Sequence, residues 1–549
     1  MMDSPNVLII MTDEERYPPP YEGEELKAFR RKQLPARQHL LDRGIELHRH
    51  YAGSTACLPS RATLFTGQYP SLHGVTSTDG LAKQASDPAM GFLDPDTVPT
   101  IGDWFRAGGY YTHYRGKWHI SYADLITPGT HVGLKSSDTA GTVDPRAVDA
   151  YRRADRLDPY GFSGWIGREP HGADKADCGF VRDGVFADQV VELFDELAAV
   201  RNGPWLTVAS FVNPHDISFG AYGWQQVLQL APPDVTVPDI DPAPSQADTF
   251  AGRPSCQEQF LHTWPKMMFD MPADQAHRRL YYYLHEVVDR AIMRVLEALD
   301  GSGMAGDTIV VFTSDHGDLI GAHGGLVQKW YNAFDEAIRV PLVVTGPGID
   351  RRPDGIDVPT SHVDLLPTLL GLAGIDRERA ASGVAEHHVE SHALPGRDLS
   401  GVLTGSAAPE SIQSPIYFMT DDDVTSGSSQ HNLFTGVPFD AVEMPSRIES
   451  VIASLPTGAD GPPELWKLNH YFERLDGWEA ENGVAPATAA PTETFWELHN
   501  LTADPEERYN VAAERGDVLT GMQNLLSSER DAKRLVPSLR NSDPAARPA

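Results

Sequence analysis

The sequence predicts an α/β protein: a large mixed, mostly parallel sheet sandwiched by helices, followed by a smaller C-terminal α+β subdomain. Three observations carry this. Continuous apolar, β-branched runs such as Asn6–Met11 (NVLIIM) and Thr308–Thr313 (TIVVFT) suit strands buried on both faces. Amphipathic helical stretches alternate with these runs, as in doubly wound folds. Both runs end directly in acidic residues, Thr12-Asp13-Glu14 and Ser314-Asp315-His316. Ligands of open α/β sheets gather at the carboxyl ends of strands.

In chain order, Leu34–Arg43 reads as a helix closed by Gly44, and Ile45–Tyr51 as an extended segment leading to Cys57. Val98–Ala107 reads as helix, Tyr110–Tyr114 as strand, Val185–Val200 as helix and Trp205–Val212 as buried strand. Ala276–Leu299 is a long helix, and Val340–Thr345 a further strand. Two Gly-, Pro-, Asp- and Trp-rich stretches, Ser121–Arg182 and Asp216–Pro272, lack a period and read as long loops over the strand ends. Trp165, His171, Phe219 and Trp224 within them are candidate walls of a binding pocket. After Gly374 a linker runs to Leu399. Shorter strands follow at Ile416–Met419, Ile448–Ala453 and Phe495–Leu498, with a helix near Val518–Leu526. The expected division is residues 1–400 for the main domain and 401–549 for the C-terminal subdomain, whose tail from Asn541 is expected to be disordered.

The 549 residues carry 45 basic and 77 acidic side chains, a formal net charge of −32. Such a surface repels nucleic acid and anionic membranes, and it would repel an anionic substrate too. A site for anionic esters must therefore gather local cations. Three cysteines imply no disulfide framework and fit a reducing compartment. The N-terminus has no basic segment before its short apolar run, and no stretch approaches the ~20 apolar residues of a membrane span. A cytoplasmic protein is expected, with export after processing of a longer precursor as the alternative.

The most informative segment is Cys57-Leu58-Pro59-Ser60-Arg61, continuing to Thr66-Gly67. Pro59 marks a helix start, which places Cys57 where free N–H groups and the helix dipole favour an anion. Gly116-Lys117-Trp118-His119 and Asn213-Pro214-His215 each follow a predicted strand. Lys329 precedes Glu336-Ala337-Ile338-Arg339-Val340-Pro341.

These segments together resemble the type I, formylglycine-dependent sulfatases of the alkaline phosphatase superfamily. The pattern C-x-P-S-R-x-x-x-x-T-G is complete, G-K-W-H matches at every position, and similarity extends to Trp496–Ala512 (WELHNLTADPEERYNVA). His316 stands where many arylsulfatases have asparagine, and leans toward the branch of choline sulfatases and phosphonate monoester hydrolases. The resemblance implies sulfate monoester hydrolysis to alcohol and sulfate. A separate formylglycine-generating enzyme, acting on the unfolded chain, would oxidise Cys57 to an aldehyde whose hydrate attacks sulfur.

Asp13, Glu14, Asp315 and His316, with the converted Cys57, would hold one divalent metal. Calcium suits the carboxylates, while the imidazole keeps manganese, magnesium and zinc open. Glu14 departs from the more usual aspartate. Arg61 would hold the oxygens of residue 57, and Lys117 and Lys329 would bind sulfate. His119 would take a proton from the spare hydroxyl of the hydrate, and His215 would protonate the leaving alcohol. His323 has a supporting place. Tyr110 and Thr112 resemble substrate-side residues of the phosphonate monoester hydrolases. Related enzymes with histidine at position 316 assemble through C-terminal segments, which implies a homo-oligomer. The alternative activity on the same site is phosphonate monoester or phosphodiester hydrolysis, because those substrates carry the same single charge.

Overall fold

The computed structural model describes residues 4–85, 87, 90–170, 174–200, 202–220, 223, 237–443, 445–456, 461–472 and 494–537. Its strands are β1 (Asn6–Asp13), β2 (Ile45–Leu47), β3 (His50–Tyr51), β4 (Tyr111–Gly116), β5 (Trp205–Pro214), β6 (Thr308–Ser314) and β7 (Arg339–Val340). They continue with β8 (Leu342–Thr345), β9 (Arg352–Ile356), β10 (Thr360–Ser361), β11 (Ile416–Thr420), β12 (Arg447–Leu455), β13 (Glu464–Phe472) and β14 (Phe495–Asn500).

The main sheet has seven strands in the order β4-β5-β1-β6-β8-β2-β9. The first four are mutually parallel, and β8 runs antiparallel to both β6 and β2. The mixed, mostly parallel sheet is therefore as the apolar runs predict. Strand β1 shows why those runs are unbroken. Val7, Ile9 and Met11 enter the hydrophobic core on one face, and Leu8 and Ile10 the core on the other. That second core is roofed by helices α2 (Gly179–Val200) and α4 (Gln275–Gly301), which pack beside β5.

Some boundaries shift. The helix expected over Leu34–Arg43 spans Pro35–Leu41, and a preceding helix, Glu24–Gln33, was not legible. Ile45–Tyr51 splits into β2 and β3, which lie in different sheets, and Pro341 separates β7 from β8. Both inserts contain helices the loop reading missed, Pro145–Ala154 in the first and α3 (Ser255–Met267) in the second. Helix α3 buries Cys256, Phe260, Trp264 and Met267, so its apolar face covers the core.

The C-terminal unit is an antiparallel sheet, β11-β12-β13-β14, backed by helix α5 (Gly516–Lys533) through Met522 and Leu526. Residues 399–412 still pack into the main core through Leu399, Val402, Leu403 and Ile412, and the second sheet begins at Ile416. The tail from Asn541 lies outside the described residues. Among the described residues no helix is long and apolar enough to cross a membrane, and the three cysteines are free and buried.

Candidate active site

The carboxyl ends of the parallel strands converge on one buried cluster. Strand β1 delivers Asp13 and Glu14, β4 leads to Lys117, β5 to His215, and β6 to Asp315 and His316, while His119 lies two residues beyond Lys117. Helix α1 (Cys57–Thr66) enters from above with Cys57 as its first residue and Pro59 in its first turn. All ten of its residues are buried, and it ends at Gly67 in the left-handed region, φ 63°. A side chain there would be strained, which explains the glycine of the signature.

The cage at the centre has four donor atoms. Cys57 Sγ lies 3.1 Å from His316 Nε2 and 3.7 Å from Asp13 Oδ1. His316 Nε2 lies 3.9 Å from Asp13 Oδ1 and 3.7 Å from Asp315 Oδ1. The second oxygens of both aspartates are taken from behind by one guanidinium. Arg61 Nη2 donates to Asp13 Oδ2 and Arg61 Nε to Asp315 Oδ2, each at 2.8 Å. Its Nη1 donates to the Lys117 carbonyl at 2.9 Å and Ser210 Oγ at 3.0 Å. Arg61 thus aims both Oδ1 atoms at the cage, and its hydrogen bonds go to the aspartates rather than to residue 57. Two buried carboxylates need a buried cation between them more than the nucleophile does.

The histidine is equally constrained. His316 Nδ1 donates to the Gly317 carbonyl at 3.0 Å, which leaves the Nε2 lone pair facing the cage.

Electrostatics follow from this packing. Burial alone would raise the Asp13 pKa, but Lys117, Arg61, His215 and His316 outweigh it and hold the carboxyl well below the usual range. Lys117 Nζ sits 2.7 Å from Asp13 Oδ2; burial opposes its charge, but Asp13 raises its pKa. Burial, then the charge of Asp13, push the Cys57 thiol up to about 12. A plain thiol here is a poor nucleophile.

Glu14, expected as a metal ligand, engages Lys329 through one oxygen only, with 2.9 Å between Nζ and Oε2, and the same oxygen accepts from Ser218 Oγ at 3.0 Å. Its Oε1 is buried with no hydrogen-bond partner. Burial holds the Glu14 carboxyl well above its usual range, Lys329 opposing and Asp318 adding to the effect. Asp13, Glu14 and His215 also form a compact group of potential ligands, as do Asp13, Cys57, Asp315 and His316. The donor set fits a divalent cation. Two carboxylate oxygens lie 3.7 and 3.9 Å from the imidazole nitrogen, and all the donor atoms lie within 4.8 Å of one another, as ligands of one such ion do; a further carboxylate oxygen stands without a partner.

His119 is 2.9 Å from Asp79 through Nε2. Both Glu14 (φ 71°) and His119 (φ 55°) hold left-handed backbone conformations. Non-glycine residues adopt these at a cost, and such strain clusters at functional sites.

Several expectations do not hold. Trp165 is fully buried, stacked edge-on against Tyr151 and donating to the Gly116 carbonyl at 2.9 Å, so it is core rather than pocket wall. Phe219 is 5% exposed and also packs in the core. His171 and Trp224 lie outside the described residues. Tyr110 and Thr112 stand at the opposite, amino-terminal end of β4. Tyr110 donates to the Pro5 carbonyl at 2.9 Å, and Thr112 to the Gly161 carbonyl at 2.6 Å. His323 pairs with Glu336 at 3.1 Å and stacks on Phe334.

Sequence reasoning missed Asp79 and Asp422. From the C-terminal unit, Asp422 accepts from the Ala56 amide at 3.2 Å, the Thr78 amide at 3.1 Å and Trp330 Nε1 at 3.1 Å. The second sheet therefore helps seat the start of α1. Nothing in the local pattern around either aspartate signals this.

The sequence profile described as Sulfatase matches residues 5–375. The chain belongs to the sulfatase family. It is thus an enzyme of the sulfuric ester hydrolase class. It is 26% identical over 399 residues to an uncharacterized sulfatase, YidJ, of Escherichia coli (strain K12), covering 70% of each chain. To a choline-sulfatase of Rhizobium meliloti (strain 1021) it is 27% identical over 405 residues, covering 68% of each. The solved phosphonate monoester hydrolase of Agrobacterium radiobacter shares the sulfatase fold, with a TM-score of 0.57, 22% identity, and 97% and 96% of the two chains covered.

Proposed function

We propose that this sulfatase hydrolyses sulfate monoesters to alcohol and sulfate, with Cys57, oxidised to formylglycine, as its nucleophile, and one divalent cation held by Asp13, Asp315 and His316. The observation that carries this reading is the division of labour on the two aspartates. Arg61 grips their Oδ2 atoms at 2.8 Å, while both Oδ1 atoms face Cys57 Sγ and His316 Nε2. The Sγ atom stands in for the oxygens that the converted residue would carry. Glu14 joins as a further ligand through its unpartnered Oε1. Carboxylates favour calcium, and the imidazole admits manganese, magnesium or zinc. When bound, the cation supplies Lewis-acid charge at residue 57 and the sulfate oxygens.

The chain's own residues do the rest. Lys117 and Lys329, both buried, offer fixed positive charge to the sulfate oxygens where the net charge of −32 offers none. His215 gives its proton to the departing alcohol oxygen, and His119 removes a proton at residue 57 when sulfate is released. Cys57 is 2% exposed at the head of a wholly buried helix. An oxidising enzyme must therefore meet this segment before the chain folds.

The test joins mass spectrometry of the peptide carrying residue 57 to a substrate panel. The expected result is the mass loss of CH2SH becoming CHO, together with faster turnover of aryl and alkyl sulfates than of phenyl phosphonates. An unmodified thiol in active protein would refute the nucleophile. A preference for phosphonates or phosphodiesters would move the assignment to that chemistry.

His215 supplies a separate prediction. His215→Ala should cost on the order of 10²–10⁴-fold in kcat/KM with an alkyl sulfate, whose alkoxide needs protonation. With nitrophenyl sulfate, whose leaving group departs unprotonated, the loss should be much smaller. Equal losses on both substrates would remove His215 from the role of general acid.

A further inference from the structure

We infer that Asp79 is a positioning residue for His119, holding its imidazole in the tautomer and orientation that sulfate release requires. This rests on the reading of residue 57 proposed above.

The geometry is specific. His119 Nε2 and Asp79 Oδ1 are 2.9 Å apart, and the two side chains are 4% and 8% exposed. A carboxylate can only accept there, so Nε2 carries the proton and Nδ1 is left as the basic nitrogen. Each partner is fixed independently of the other. Next to Asp79, the Thr78 amide donates to Asp422 Oδ1 at 3.1 Å, and the Gly80 amide donates to the Lys83 carbonyl at 2.7 Å. Next to His119, the Trp118 amide donates to Glu169 Oε1 at 3.0 Å, and the buried Trp118 indole donates to Ser121 Oγ at 2.8 Å. His119 itself holds φ 55°. A strained histidine backbone and a carboxylate carried on a separate loop that is anchored on both sides of it are what preorganisation of a base looks like.

The chemistry explains the need. After the alcohol has left, residue 57 carries the sulfuryl group through one oxygen and keeps a hydroxyl on the same carbon. His119 accepts that hydroxyl's proton, and the freed electron pair closes the carbonyl. The carbon–oxygen bond to the sulfuryl group breaks, and sulfate departs with that bonding pair. Water then adds back to the aldehyde, so that each cycle consumes one ester and one water and yields alcohol, sulfate and a proton. The imidazole gains positive charge in this step, and the Asp79 carboxylate stabilises it as it forms.

The experiment uses Asp79→Asn, nearly isosteric with the native residue, in protein whose residue 57 is converted and metal-loaded. With nitrophenyl sulfate, kcat should fall on the order of 10²-fold, with KM falling alongside it, because the second half of the cycle becomes limiting. Rapid-quench measurement should show a burst of roughly one nitrophenol per converted chain. The quenched peptide carrying residue 57 should gain the mass of SO3. In a His119→Ala background, adding Asp79→Asn should change kcat by less than about twofold, since the two act as a unit. The inference is overturned by unchanged kcat, by a loss confined to KM, by a loss without burst or adduct, or by full additivity with His119→Ala. If instead wild-type protein carries no aldehyde or turns over no sulfate ester, the parent reading fails and this inference falls with it. Wild-type turnover beside an indifferent Asp79→Asn sinks this inference alone.

Discussion

Cys57→Ala should lower sulfate ester turnover on the order of 10⁴–10⁶-fold and leave the thermal unfolding midpoint within a few degrees of wild type. The activity loss follows from the arrangement around the sulfur. The other side chains of the cage are the ones read above as metal ligands, each oriented from behind for that task. Asp13 and Asp315 each have one oxygen committed to Arg61, and His316 spends Nδ1 on a backbone carbonyl and turns Nε2 to the cage. Removing residue 57's functional atom leaves only electrostatic binding, which alone retains a small residual rate. The stability side follows from what the sulfur touches. Its contacts within the cage are His316 Nε2 and Asp13 Oδ1 rather than close-packed apolar groups, so truncation opens little hydrophobic cavity. Activity assays and a melting curve on the same preparation check both halves. Turnover within about tenfold of wild type would end residue 57's role as nucleophile.

The parts of this site that were legible in the sequence share a physical cause. A central parallel strand must be apolar on both faces, so β1 and β6 appear as unbroken runs, and the first polar residues after them mark the strand end. Asp13, Glu14, Asp315 and His316 were found that way, and their convergence follows from β1 and β6 being parallel neighbours in register. The helix-borne signature placed Cys57 and Arg61 four residues apart, one turn, with both facing the strand ends.

What escaped depends on partners distant in sequence or on polar residues being buried. Asp79 meets His119 across 40 residues, and Asp422 meets Ala56 across 366, each from a loop with no period to read. Strand β13 was missed because its inward positions include Lys467 and Asn469, both fully buried. Lys467 is satisfied by Asp335 at 2.6 Å and Glu507 at 2.8 Å, and Asn469 accepts from Ser450 Oγ at 2.8 Å. A binary apolar–polar pattern reads such a strand as surface. Arg61 was recognised, but its contact was not. The signature gives its position on α1, while only the fold reveals that its reach ends on two carboxylates from separate strands.

That contact makes Arg61→Met the variant with the largest expected effect on stability. The methionine keeps much of the aliphatic stem and removes the guanidinium, leaving Asp13 and Asp315 buried at 0% side-chain exposure without their shared partner. Breaking a buried pair by removing one member costs about 3–5 kcal/mol, because the remaining charge is stranded. Two carboxylates are stranded here, although Lys117 still neutralises Asp13 at 2.7 Å. Ser210 Oγ and the Lys117 carbonyl lose a donor as well. The metal-free variant should therefore show a denaturation midpoint shifted by about 3–5 kcal/mol of unfolding free energy. Adding a divalent cation should recover part of that loss, since an ion bound only by the folded state restores positive charge between the same two aspartates. Recovery of stability should not bring recovery of activity. Without the guanidinium, Asp13 loses the bond that turns its Oδ1 toward residue 57, and Asp315 keeps only the Glu14 and His316 amides on its Oδ1; ligand orientation from behind is what fixes a metal's first coordination sphere. A variant as stable as wild type without metal would show that Arg61 carries no such load. A variant that regains full turnover with metal would show that orientation by Arg61 is dispensable.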